Sequence, residues 1–136
     1  MYNIRYNFAI FKSIFSPWHQ RNWLFLPKPF KIKKMIELNP SDWADQMAKD
    51  PQAIIVDVRS DMELEEGKIP GAIQCNIQYS SEFMSQIQAM DPNKNYYVYC
   101  RSGGRSAQAC MLMNASGIKN TYNLLGGITA WDGPTE

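Results

Sequence analysis

Beyond residue 35, short apolar runs alternate with stretches whose apolar positions recur at helical spacing, which predicts strands separated by helices. Ile36–Leu38 reads as a short strand, and Asn39 then stands as an N-cap with Pro40 in the first helical position. Residues 53–58 form a continuous apolar run, Ala-Ile-Ile-Val-Asp-Val, of the kind buried on both faces of a sheet. An acidic turn of helix over 61–66 stops at Gly67, and the chain turns at Pro70–Gly71 into a third strand within 69–77. Residues 80–90 predict a helix with Phe83, Ile87 and Met90 on one face. Residues 96–100, Tyr-Tyr-Val-Tyr-Cys, are β-branched and aromatic and make a fourth strand. A helix from about Ser106 to Asn114 ends before Gly117, residues 121–124 give a fifth strand, Gly126–Gly127 a turn, and 128–131 a last short helix. Strands alternating with helices argue an α/β domain over residues 35–136, with a mostly parallel sheet covered on both faces.

Residues 1–34 follow no such period, and Pro17, Pro27 and Pro29 interrupt any helix there. Charge marks the same boundary. The segment holds seven basic residues (Arg5, Lys12, Arg21, Lys28, Lys31, Lys33, Lys34) and no acid. The remainder holds the other seven basic residues and all thirteen acidic ones, an excess of six negative charges hidden by the overall +1. Four readings of this extension stand side by side: a transit peptide poor in serine, a signal peptide split by Lys12, a basic aromatic arm for membranes or nucleic acid, and an over-extended reading frame preceding a true start at Met35. At 136 residues and 45% hydrophobic, the chain can bury a core, which excludes a disordered protein. Three cysteines are too few for a disulfide scaffold, one histidine supplies a structural zinc site poorly, and no apolar run reaches the ~20 residues of a membrane span.

In open parallel sheets, ligands gather beyond the carboxyl ends of strands, at helix N-termini. That rule selects Cys100-Arg101-Ser102-Gly103-Gly104-Arg105-Ser106, where a cysteine closes a strand, two glycines let the backbone curl and a helix follows. Successive backbone N–H groups in such a turn form an anion nest, and together with nearby arginine they favour a thiolate at Cys100. A thiolate held this way suits nucleophilic attack on an anionic substrate without a separate base. The rival reading makes Cys100 an inert buried cysteine. Cys75 and Cys110 lack any such activation and read as core, and their spacing excludes a CxxC pair. No phosphate-binding GxxxxGK or GxGxxG motif occurs.

Three separated motifs carry a family resemblance. Ile-Ile-Val-Asp-Val-Arg (54–59), Gly-Lys-Ile-Pro-Gly-Ala-Ile (67–73), and Val-Tyr-Cys-Arg-Ser-Gly-Gly-Arg-Ser (98–106) with Leu-Leu-Gly-Gly-Ile-Thr-Ala-Trp (124–131) resemble, in order, the motifs of a single-domain rhodanese, a sulfurtransferase. Lys68 departs from the family's usual histidine, which is not the nucleophile. The resemblance implies a three-layer α/β/α fold with a mostly parallel five-stranded sheet. It implies that Cys100 takes a sulfane sulfur from thiosulfate or a related small anionic donor, and yields it as a persulfide to a thiol or protein acceptor. No metal or organic cofactor is implied, and neither a nucleic-acid partner nor a transmembrane segment. Arg101 and Arg105 would attract the donor, Ser102 and Ser106 supply hydroxyls (Ser106 alternatively the N-cap), and Gly103 and Gly104 act through backbone shape. Asp57 and Arg59 read as a scaffold pair and Trp131 as core. A cytoplasmic monomer or weak oligomer is expected for a domain that needs a free thiolate. Two rivals differ in class: a noncatalytic docking or sulfur-relay module, and a cysteine-dependent phosphatase. The latter places its arginine six positions after the cysteine, where this chain has Ser106.

Overall fold

In the computed structural model, residue 31 and residues 33–136 are described, so most readings of the 1–34 extension lie outside the described residues. The elements run β1 (Ile36–Leu38), α1 (Pro40–Ala48), β2 (Ala53–Asp57), α2 (Asp61–Glu65), β3 (Ile73–Gln74), α3 (Ser80–Ala89), β4 (Asn95–Tyr99), α4 (Gly104–Ala115), β5 (Asn120–Leu124) and a closing 3-10 turn (Gly127–Ala130). The five strands form one parallel sheet in the order β1-β5-β4-β2-β3. Gln74, Asp57 and Tyr99 are register partners, so β3, β2 and β4 end level with one another.

The central strand β4 splits the core in two. Tyr96 and Val98 face one side, where Val56, Phe83, Ile87, Cys110 and Met113 close under α3 and α4. Tyr97 and Tyr99 face the other, against Trp43, Leu124 and Ile69. Trp43 is fully buried, meets the rings of Tyr97 and Trp131 edge-on at 5.6 Å, and donates its Nε1–H to Tyr122 O. Burying one such ring is worth roughly 4–6 kcal/mol of transfer free energy at about 25 cal/mol per Å2. The apolar continuity of β2 and β4 thus reflects burial on both faces.

Local signals hold at α1, where Asn39 Oδ1 accepts from Asp42 N–H at 2.9 Å beside Pro40. They hold at Gly117, which follows α4 at φ 104°. Elsewhere the structure corrects the reading. The third strand is only two residues long, at the sheet edge; beyond it Cys75 and Ile77 still donate to Asp57 O and Val58 O, but the chain is already turning toward α3. Met90 falls just past α3, its backbone extended, though its side chain still packs on the core shared by Phe83 and Ile87. Ser106 is not an N-cap: α4 starts at Gly104, and Gly103 caps it at φ 102°, a conformation serine adopts only with strain. Among the described residues no helix is long and apolar enough to cross a membrane.

Candidate active site

Cys100 directly follows β4, between the fully buried end of that strand and the first turn of α4. The left-handed Gly103 bends the intervening loop back, so that its own N–H donates to Cys100 Sγ at 3.1 Å. A side chain at Gly103 would press on Leu124 O and Gly126 N at 3.3 Å. Ser106, fully buried in the first turn of α4, donates its Oγ–H to the same sulfur at 3.3 Å. The closing turn fixes the loop's other end. Ile128 N–H donates to Cys100 O at 2.9 Å, while Thr129 N–H and Oγ1–H both donate to Arg101 O. Gly127, at φ 58°, lies against this stretch so closely that a Cβ would sit 2.5 Å from Cys100 O and from the carbonyl of Arg101.

These contacts decide the state of the sulfur. Burial is the largest single influence and opposes ionisation. Against it act the Ser106 hydroxyl and the backbone N–H groups of Ser106, Gly103 and Ser102, which together bring the Cys100 thiol below its ordinary pKa. Cys75 and Cys110 have only the opposing influence in strength: burial pushes them up to about 11 and about 12. All three cysteines are free and buried, but only Cys100 sits on a ring of donors. Ser106→Ala is therefore expected to raise the pH midpoint of Cys100 alkylation by iodoacetamide by about one unit. Peptide mass mapping across a pH series checks this, and an unmoved midpoint would mean the hydroxyl does not bear on the thiolate.

The two arginines have different fates. Arg101 is exposed at the rim of the loop. Arg105 is engaged: its Nη1–H and Nη2–H donate to the two carboxylate oxygens of Glu63 at 2.8 and 2.6 Å. Glu63 also closes the capping box of α2, accepting from Ser60 N–H at 3.0 Å while Ser60 Oγ accepts from Glu63 N–H. Glu63 thus ties α2 to α4, and of the loop's two arginines only Arg105 has an ion-pair partner among the described residues. Nothing local signals this pairing, because the partners lie 42 positions apart in the chain.

The Arg105 guanidinium holds the Glu63 carboxyl down at about 2, against an ordinary 4.5. A depressed folded-state value means that the stability supplied by the pair is fully present above pH 4.5 and is lost as the pH falls toward 2. Wild type and Glu63→Gln, distinct in urea midpoint at neutral pH, are expected to converge across that window. A difference that stays constant down to the acid end would refute the assignment.

Beneath the loop, Asp57 and Arg59 pair as expected, at 2.8 Å and almost fully buried. Arg59 also donates to Gly67 O at 2.7 Å and to Glu63 O at 3.2 Å, and Tyr99 Oη–H donates to Asp57 Oδ2 at 2.6 Å. The pair thereby fastens the middle of α2 and the turn after it to the end of β4, which sets where Glu63 meets Arg105. Trp131, expected in the core, is half-buried at its margin, where it packs edge-on against Trp43. Among the described residues, no three His, Cys, Asp or Glu side chains converge as a metal-binding group.

A parallel sheet that delivers a donor-ringed cysteine to a helix N-terminus defines a class of α/β domains built for anionic or thiolate chemistry. Within that class the comparisons are specific: residues 40–133 match the Rhodanese-like domain family, and the chain belongs to it. A sulfurtransferase of Allochromatium vinosum is 34% identical over 95 residues, covering 70% of this chain and 86% of that protein. Among solved structures, a rhodanese-like domain protein from Staphylococcus aureus aligns with a TM-score of 0.65 at 29% identity, over 75% of this chain and 97% of that one. A rhodanese-related protein from Thermoplasma volcanium aligns at 0.64 and 27%, over 74% and 97%. These likenesses support a sulfurtransferase.

Proposed function

We propose that the domain transfers a sulfane sulfur from thiosulfate or a related anionic donor to a thiophilic acceptor through a persulfide on Cys100. The observation that carries this reading is the convergence on one sulfur of the Gly103 N–H and the Ser106 hydroxyl, at 3.1 and 3.3 Å, at the start of a twelve-residue helix. In the first half-reaction the Cys100 thiolate attacks the outer sulfur of thiosulfate. The new Cys–S bond forms, the sulfur–sulfur bond of the donor breaks, and sulfite leaves with its electron pair. The persulfide keeps the negative charge that the thiolate had, so the same donors serve both states. In the second, an acceptor thiolate or cyanide attacks the outer sulfur and Cys100 departs as thiolate.

Arg101 draws the dianion to the rim, the backbone of Ser102, Gly103 and Gly104 shapes the cup, and Arg105 braces it through Glu63. Cys100 itself is 1% exposed. A persulfide extends the side chain by one sulfur–sulfur bond, about 2 Å, which carries the transferable atom toward the rim where an acceptor can reach it. A free thiolate also requires a reducing compartment, which favours the cytoplasm.

The test is direct. The full chain, incubated with thiosulfate, should gain the mass of one sulfur on the peptide bearing Cys100, and added cyanide should remove it as thiocyanate. Absence of a persulfide with thiosulfate and with other sulfane donors would overturn the reading.

A further inference from the structure

Asn123, near the end of β5, lies under the first turn of α4. It is the register partner of Val98, two residues before Cys100, and is 1% exposed. Side chains alternate along a strand, so Asn123 shares the α4 face with Thr121, whose Oγ1–H donates to Asn114 Oδ1 on that helix. The Asn123 Nδ2–H groups donate to Gly103 O at 3.2 Å and to Glu37 Oε1 at 3.3 Å. Both neighbours are acceptors only, so the amide must turn its NH2 toward them. That orientation leaves Asn123 Oδ1 enclosed with no donor.

For stability alone this is a poor place for an asparagine, because an enclosed oxygen without a partner opposes folding. Neither bond that the amide makes is needed to satisfy its acceptor. Gly103 O already accepts from Ala107 N–H at 3.1 Å, and Glu37 is exposed to water. A leucine of closely similar shape would remove the unmatched oxygen and leave no other group unpaired. What the amide supplies is direction. Gly103 holds φ 102° and ψ −11° between Ser102 and Gly104, and a glycine keeps such torsions only while its surroundings impose them. Asn123 pins the carbonyl of this residue, whose N–H is the one that meets Cys100 Sγ at 3.1 Å.

We propose that Asn123 is a positioning residue for the reacting sulfur: it fixes the Gly103 carbonyl, and through the torsions of that glycine it aims the Gly103 N–H at Cys100 Sγ. Its own hydrogen bonds go to Gly103 and Glu37, so it acts on the sulfur only through the loop. The unmatched oxygen is the consequence of placing a donor at this point, a local strain kept at a functional site. That Cys100 reacts by sulfur transfer rests on the persulfide reading; that Asn123 governs the Cys100 thiolate does not.

Asn123→Leu in the full chain separates this role from a structural one. Its urea midpoint should equal or exceed that of wild type, while the pH midpoint of Cys100 alkylation rises by about half a unit to one unit, as for one hydrogen bond lost to the sulfur. At pH 7 the rate constant for sulfur uptake from thiosulfate, followed by intact mass in a single turnover, should fall about threefold to tenfold and recover above the new midpoint. Asn123→Asp, which turns a charged acceptor toward the Gly103 and Glu37 oxygens, should raise the alkylation midpoint further. An unmoved midpoint in Asn123→Leu, or a rise that comes with a clearly lowered urea midpoint, would overturn the proposal. A measurement on the wild type keeps the test open should the variants fail to fold. In 15N-labelled protein the Asn123 side-chain amide should shift with the Cys100 midpoint, while that of Asn120, at the start of β5, stays still. An Asn123 amide that does not follow the titration would equally overturn the assignment. A wild-type chain that takes up no sulfur yet shows this titration would support the positioning role and sink the persulfide reading.

Discussion

Cys100→Ser is expected to lower thiocyanate formation from thiosulfate and cyanide by at least about a thousandfold, with no sulfur retained on the chain. The proton accounts for the loss, since the fold around the residue should barely change. Serine fits where cysteine sat, but its hydroxyl ionises far above any thiol, and the Gly103 and Ser106 donors that populate a thiolate are far too weak to populate an alkoxide. The remaining cysteines offer no substitute, because burial pushes Cys75 up to about 11 and Cys110 up to about 12. Intact mass and a thiocyanate assay give the two readouts. Persulfide found on either remaining cysteine, or substantial turnover by the variant, would move the chemistry away from the loop.

The largest loss of stability is expected at Asp57. Removing one partner of a buried ion pair leaves the other charged and dry, at a cost of about 3–5 kcal/mol. Here Arg59 is 3% exposed and directs three side-chain contacts and its backbone N–H at the Asp57 carboxylate, to which the Tyr99 hydroxyl also donates. Asp57→Ala should therefore lower the free energy of unfolding in urea by that amount. Asp57→Asn, which keeps the shape but not the charge, should lower it nearly as much. A loss under about 1 kcal/mol for both would show that the guanidinium finds water or another acceptor, and that the network does not hold α2 in place. Since Glu63 and Gly67 O both depend on this anchor, iodoacetamide reactivity at Cys100 is a second readout that should also change.

Much of this arrangement is legible in the sequence because it is local. Asn39-Pro40 starts a helix by cap chemistry, Gly103 and Gly104 mark a backbone that must curl, and Asp57 and Arg59 are near enough in the chain to pair. Ser106 shows where local reasoning misleads. Cap preference favours serine over glycine, yet the left-handed turn that aims N–H groups at Cys100 admits glycine at the cap and shifts the helix start two residues earlier. Serine is then inside the first turn, where its hydroxyl turns to the sulfur. The bidentate contact between Glu63 and Arg105 is a product of tertiary geometry, and so is the hold of the Asn123 amide on Gly103 O. Neither has a periodic or motif signal at the level of one chain. The short β3 has a related origin: past Gln74 the chain keeps only single backbone bonds from Cys75 to Asp57 O and from Ile77 to Val58 O before it turns toward α3, a departure that alternation does not signal.

The sheet order carries a consequence for handling the protein. Tyr96-Tyr97-Val98-Tyr99 is uncharged and rich in β-formers, the kind of segment that seeds cross-β aggregation when bare. In the native sheet it is the middle strand, paired on both sides and buried on both faces. The outward strands β1 and β3 present only three and two residues, too little edge to template another chain. Native molecules should thus tolerate concentration well, while refolding from denaturant exposes the central strand and should lose material steeply as concentration rises. Rapid dilution is the condition under which this domain should be recovered.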